Sequence, residues 1–161
     1  SGAPQRAGSV VQVVSVTKSD TFTTTSATFV DVTGLTASIT PSSTSNTILV
    51  LVSVNGSQDV AVNRVSLKLL RDATEIANGD AASNHIRAIG GFYAGDADIP
   101  SPTVSVNYLD SPASVASLTY KIQVAIIAGG GTAFINRTDN DTDDTGHPRT
   151  ASTITLMEIK G

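Results

Sequence analysis

The feature that most restricts this chain is the period of its apolar residues. Leu118, Tyr120, Ile122, Val124 and Ile126 stand on alternate positions, with Thr119, Lys121, Gln123 and Ala125 between them. A repeat of two sends the sets to opposite faces of an extended strand, so the segment reads as a half-buried β-strand. The same alternation, with Ser or Thr as a common spacer, predicts strands near 10–17, 21–32, 35–40, 47–54, 63–71, 84–93, 103–109, 116–127, 132–137 and 152–160. Turn signals separate them, among them Thr33-Gly34, Pro41-Ser42-Ser43, Asn55-Gly56, Asn78-Gly79-Asp80, Ser111-Pro112 and Gly129-Gly130-Gly131. No stretch has the 3.6-residue period of an amphipathic helix; residues 73–83 have room for one turn, which Gly79 interrupts. The expected fold is all-β: a two-sheet antiparallel β-sandwich of jelly-roll type with about ten strands and little or no helix.

A chain of 161 residues fits one domain and, by area scaling, hides roughly two-thirds of its extended surface on folding. With no Cys there is no disulfide framework and no thiolate metal site. Aromatic residues make up 4% and Trp is absent, so Val, Ile, Leu and Ala must fill the core. Ser and Thr supply about a quarter of the chain. Charged residues are 15%, the net charge is -4 and the pI is about 4.9. This is the wrong electrostatic footprint for a phosphate backbone, and nucleic acid is not an expected partner. Ile48 to Val52 is the longest apolar run, far short of the ~20 residues of a bilayer span, so no membrane partner is expected. The N-terminus lacks the apolar core of a signal peptide. If Ser1 follows a removed initiator Met, the chain is a complete small protein.

Residues 1–8, with Gly2, Pro4 and Gly8, show no periodicity and read as an arm ahead of a single domain at 9–161. Two strands depart from clean alternation. Ile48 to Val52 is apolar on both faces and Val10 to Val14 nearly so, which leaves a second face needing cover. Ile48, Val50, Val52, Val11 and Val13 are therefore candidates for an oligomer interface, most simply in a closed ring of three copies.

The residues assemble no catalytic constellation. Asp139, Asp141 and Asp143 have the one-apart spacing that opens an oxygen-rich calcium loop, but Asp144 stands where that loop wants Gly and Thr150 where it wants Glu. They are a weak candidate for a divalent cation; no other cofactor is expected. His85 and His147 lie on different segments, and no Gly-x-Ser-x-Gly elbow exists. Asp residues are plentiful, but they lie in loops with nothing to set two of them across a cleft as sugar hydrolysis requires. Gly129-Gly130-Gly131 has no following Lys-Ser or Lys-Thr and reads as a hairpin turn rather than a phosphate cradle. Arg64, Lys68 and Lys121 alternate with apolar residues and should line solvent faces; Arg71 with Asp72 is an expected ion pair, as is Arg87 with the 96–98 loop.

From Val10 onward, the segments VVQVVSVTKSDTFTTTSATFVDVTGL, SITPSSTSNTILVLVSV, RVSLKLLRD, NYLDSP, TYKIQV, FINRT and STITLMEIK resemble a β-rich module of tailed phages, particularly those of cyanobacteria and marine bacteria. That module occurs in tail-fibre-like chains and in small virion structural proteins, and the resemblance spans nearly all of residues 9–161. It implies a non-enzymatic virion component on the particle exterior, made in the host cytoplasm and trimeric. The expectation is a capsid decoration or cement protein in which Pro4, Gln5 and Arg6 help anchor the chain to the major capsid protein. The alternative is the distal domain of a tail or head fibre, binding a host receptor or glycan through loops near Phe92 and Tyr93.

Overall fold

The computed structural model describes residues 6–59, 64–93 and 102–161. Among them are eleven strands and no helix: β1 (Val10–Lys18), β2 (Phe22–Thr24), β3 (Val30–Ile39), β4 (Thr47–Gln58), β5 (Arg64–Arg71), β6 (Thr74–Ile76), β7 (Gly90–Phe92), β8 (Thr103–Asp110), β9 (Leu118–Ala128), β10 (Ala133–Ile135) and β11 (Ser152–Ile159). All pairings are antiparallel.

Register reduces the eleven strands to eight ribbons. β11 pairs with Thr47–Ser53 of β4, and β10 pairs with Gly56–Gln58 farther along the same strand. β1 pairs with β11 as β2 pairs with β10. The first sheet is thus β1/β2, β11/β10, β4 and β8. In the second, β3 pairs with β9 and β9 with β5, while β6 and β7 share the remaining margin of β5. The chain changes sheet between β2 and β3, then at β4, β5, β8, β9 and β10, which is the double Greek key of a jelly roll.

The alternating residues fold as their period demands. Ile48, Val50, Val52 and Val54 of β4, with Ile154 and Leu156 of β11, face Leu67 and Leu69 of β5 and Tyr120, Ile122 and Val124 of β9 in one dry core. Each such side chain contributes about 1.5–3 kcal/mol on burial. Gly56 is obligatory in this packing, because a Cβ there would strike the Phe92 ring and lie 2.8 Å from the Phe134 carbonyl oxygen.

Several expected boundaries move. Strand β3 runs straight through Thr33-Gly34, absorbing the turn signal as a register shift between Asp31 and Thr36 with Gly34 at φ 84°. The strand expected over 84–93 shrinks to β7, and residues 73–83 supply β6 instead of a helical turn. Gly129, Gly130 and Gly131, all with positive φ, carry the chain from β9 in one sheet to β10 in the other, so this is a crossover and not a hairpin.

Both described ends of the chain meet at one end of the sandwich. Gly8 N donates to the Lys160 carbonyl (2.7 Å) and Lys160 N donates to the Ser9 carbonyl (2.9 Å). The start of β5, β7 and the glycine crossover lie at the other end.

Candidate functional site: faces, clamps and loops of the sandwich

The expected interface residues divide on inspection. Ile48 and Val50 are wholly buried and Val52 nearly so, all inside the monomer's own core. They are not available to another subunit, which corrects the expectation. When a strand is apolar on both faces, its composition does not say which face the second sheet will cover, and here the even-numbered residues won. Their neighbours Leu49 and Leu51 face outward and are half-buried. Val13 is 53% exposed, and Val11 lines a small polar cleft with Ser42, Ser43, Ser45, Asn46 and Lys160 beside the chain ends.

Of the anchoring candidates, Arg6 is exposed at the end where Gly8 bonds Lys160, while Pro4 and Gln5 lie outside the described residues. Of the two rings proposed for a receptor loop, Phe92 points into the core, so it offers no platform for a sugar. Tyr93 is 66% exposed beside Arg64, Val65 and Gly91, in a shallow cleft of about 420 Å³. The residues that follow it, 94–101, lie outside the described residues.

The acidic run does not gather as a metal site. Arg149 Nη2 lies 2.5 Å from Asp141 Oδ1 and donates to Oδ2 at 2.6 Å, while Arg137 Nη1 approaches the same carboxylate at 3.5 Å. Arg137 also donates to the Asp139 carbonyl at 2.6 Å and stacks over the Phe134 ring. Among the described residues no group of three His, Asp or Glu side chains is placed to hold a metal ion. Of the three carboxylates, it is that of Asp141 which both guanidinium groups approach. His147 Nδ1 is 3.3 Å from Thr138 Oγ1, and His85 is exposed on a separate loop.

Three polar clusters, whose partners come from segments distant in sequence, hold the sandwich together. The first is Glu158, fully buried in β11 in the inward phase set by Ile154 and Leu156. Its carboxylate accepts from Asn46 Nδ2 (2.5 Å), Gln12 Nε2 (2.6 Å), Ser42 N (2.7 Å) and Ser42 Oγ (2.8 Å). Burial by itself pushes the carboxyl up, but these four donors outweigh it and hold it down at about 2. A buried charge is thus satisfied by dipoles alone, and it ties β1 and the β3–β4 connection to β11.

The second cluster bridges the sheets. Arg71 Nη1 donates to both oxygens of the Asp110 carboxylate at 2.7 Å, and the Tyr120 hydroxyl donates to Asp110 Oδ2 at 2.6 Å. Asp110 belongs to β8 in the first sheet, and Arg71 and Tyr120 to the second. Burial, then the bond to Asp110, raises the Tyr120 hydroxyl far above its ordinary value, so it stays a donor. The expected partner of Arg71, Asp72, instead accepts from Thr119 N, and Arg87 donates to the Gly79 carbonyl.

The third is Asn136, fully buried at φ 64° where β10 stops. Its Nδ2 donates to the carbonyls of Lys18 (2.8 Å) and Asp20 (2.9 Å), spanning the break between β1 and β2, and its Oδ1 accepts from Ser152 Oγ (2.6 Å), where β11 begins. Residues 137–151 are therefore an excursion from one long ribbon, with Asn136 stapling both its ends.

No family model matches the chain, and no curated protein matches it. Among solved structures, the fold is similar to that of VP2 in the subviral particle of infectious bursal disease virus, with a TM-score of 0.52 and 12% identity over 93% of this chain. T=1 particles derived from the same virus (TM-score 0.48, 12% identity, 98% of this chain) and its Gx strain (0.46, 15%, 96%) are further matches. At such identities the likeness is one of fold. The chain spans about a third of those chains' length, 33% of VP2 in the subviral particle and 37–38% in the other two. What the likeness defines is the fold, a two-sheet antiparallel β-sandwich.

Proposed function

We propose that the protein is a non-enzymatic structural component on the exterior of a tailed-phage particle, acting as a homotrimeric capsid decoration or cement protein. The observation that carries this reading is the sandwich it shares, over 93% of its length, with a protein that builds a viral particle. The buried ionisable groups support it. The Glu158 and Asp110 carboxylates and the Tyr120 hydroxyl spend their polar atoms on internal bonds, which suits a brace better than a reaction centre.

The first described residues bond to Lys160 beside the Ser42–Asn46 connection, at one end of the sandwich. In this reading that end faces the major capsid protein, with Pro4, Gln5 and Arg6 in the clamp. Three linked arms raise each other's effective concentration, so modest individual contacts suffice to hold the trimer on the shell. Deletion of residues 1–8 is expected to abolish binding to capsids lacking the protein while leaving its solution mass per assembly unchanged; full occupancy by the truncated chain refutes the clamp.

A second reading, a fibre tip that binds a host glycan, draws on Tyr93, which stands exposed at the end of the sandwich away from Gly8 and Lys160. Copy number separates the two. Hundreds per particle support decoration, and a few dozen or fewer support a fibre.

A further inference from the structure

The two outer faces of the sandwich differ in kind. The outer face of the second sheet carries ion pairs between Lys121 and Asp31 (2.8 Å) and between Lys68 and Glu75 (2.5 Å), as a solvated sheet does. On the outer face of β1, β11, β4 and β8 no Asp, Glu, Lys or Arg appears. There Val13 pairs with Met157, Met157 with Leu49 and Leu49 with Leu109, so register lines up four large apolar side chains in one band across all four ribbons. Val10 beside Ile159 widens the band toward the chain ends. Val10, Val13 and Leu109, at 47%, 53% and 56% exposure, are half of the six large hydrophobic residues exposed among the described residues. Beyond the band the face is Ser, Thr and Asn, apart from Leu51.

We propose that this face is the surface through which the chain associates with further copies of itself. The inference deepens the assembly role proposed above and rests on it for the identity of the partner. Charge selects a second copy as occupant. The chain carries a net charge of -4, yet this face has none, so two copies can meet here without burying like charges or stranding a partner's ions. Size agrees: four ribbons by about eight residues project roughly 500 Å², and side chains standing on the sheet raise the accessible area toward the ~800 Å² that each partner of a standard interface buries. Val13 and Leu109 sit at opposite margins of the band and remain its most exposed members, so a charge placed at either enters a contact that covers the whole face.

Sedimentation equilibrium of the full chain tests this, alongside Val13→Lys, Leu109→Lys and a control, Thr36→Glu, on the charged face. All three positions are exposed in the single chain, so thermal unfolding should confirm intact folds. The wild type and the control are expected at a multiple of 16.5 kDa. Each Lys variant is expected to weaken association roughly a hundredfold or more, because it strands a buried charge. A wild type that sediments as a single chain overturns the inference, as does an assembly whose mass survives both substitutions. Particle occupancy is read separately: a full-length wild-type chain that assembles but binds no capsid would count against the decoration role and leave this face standing.

Discussion

Glu158 offers a direct check on the claim that neutral dipoles hold a buried charge in this sandwich. Its ordinary value is 4.5 and the folded protein holds it at about 2. Such a depression links ionisation to about 3 kcal/mol of stability, at 1.36 kcal/mol for each tenfold change in proton affinity. The folded value lies below the unfolded one, so this contribution is complete above pH 4.5 and is lost as the pH falls toward 2. Glu158→Gln removes the titration while keeping the shape, but it replaces an accepting oxygen with an NH₂ among four donors, so it should cost about 2–4 kcal/mol at pH 7. Urea unfolding of both proteins from pH 7 to pH 2.5 gives the gap between them, and the subtraction cancels the other carboxylates. The gap should hold constant down to about pH 5 and then shrink by most of its value. A gap that stays flat to pH 2.5 would refute the reasoning, since it would mean that Glu158 is no better stabilised as an anion in the folded chain than in the unfolded one.

Two further substitutions probe the other clusters. Asp110→Asn leaves the Arg71 guanidinium without its counter-charge between the sheets and should lower stability by about 3 kcal/mol, against about 1 kcal/mol for Tyr120→Phe, both read from urea midpoints. Asn136→Ala removes three side-chain bonds at a residue with φ 64° and should cost at least about 3 kcal/mol; faster amide exchange should spread to both Lys18–Asp20 and Ser152, because one side chain serves both.

Much of the fold was legible because a strand's two faces are written locally. The run 118–126 became β9 with the face assignment its alternation required, and 152–160 became β11. Glu158 itself was signalled by its phase, standing where Ile154 and Leu156 demand an inward side chain, although nothing nearby revealed its partners. Where the local pattern misled, pairing was the cause. Thr33-Gly34 carries a turn signal, but β9 continues to bond beyond it and converts the turn into a bulge. Phe92 and Tyr93 look alike as exposed rings near a loop, and pairing of Val65 with Phe92 sends one inward and leaves the other outside.

From the residues alone came the all-β class, the Val, Ile and Leu core and the charge-poor surface, because period, composition and charge are properties of single segments. Tertiary structure alone decided that Ile48, Val50 and Val52 belong to the monomer's core while the band of Val13, Met157, Leu49 and Leu109 lies open on its outer face. It also decided that Gln12, Ser42 and Asn46 converge on Glu158 from more than a hundred residues away. The physical reason is that β-pairing is non-local: a strand's sequence defines two faces, and only the neighbours that bond to its edges and the sheet that packs against it determine which face goes dry.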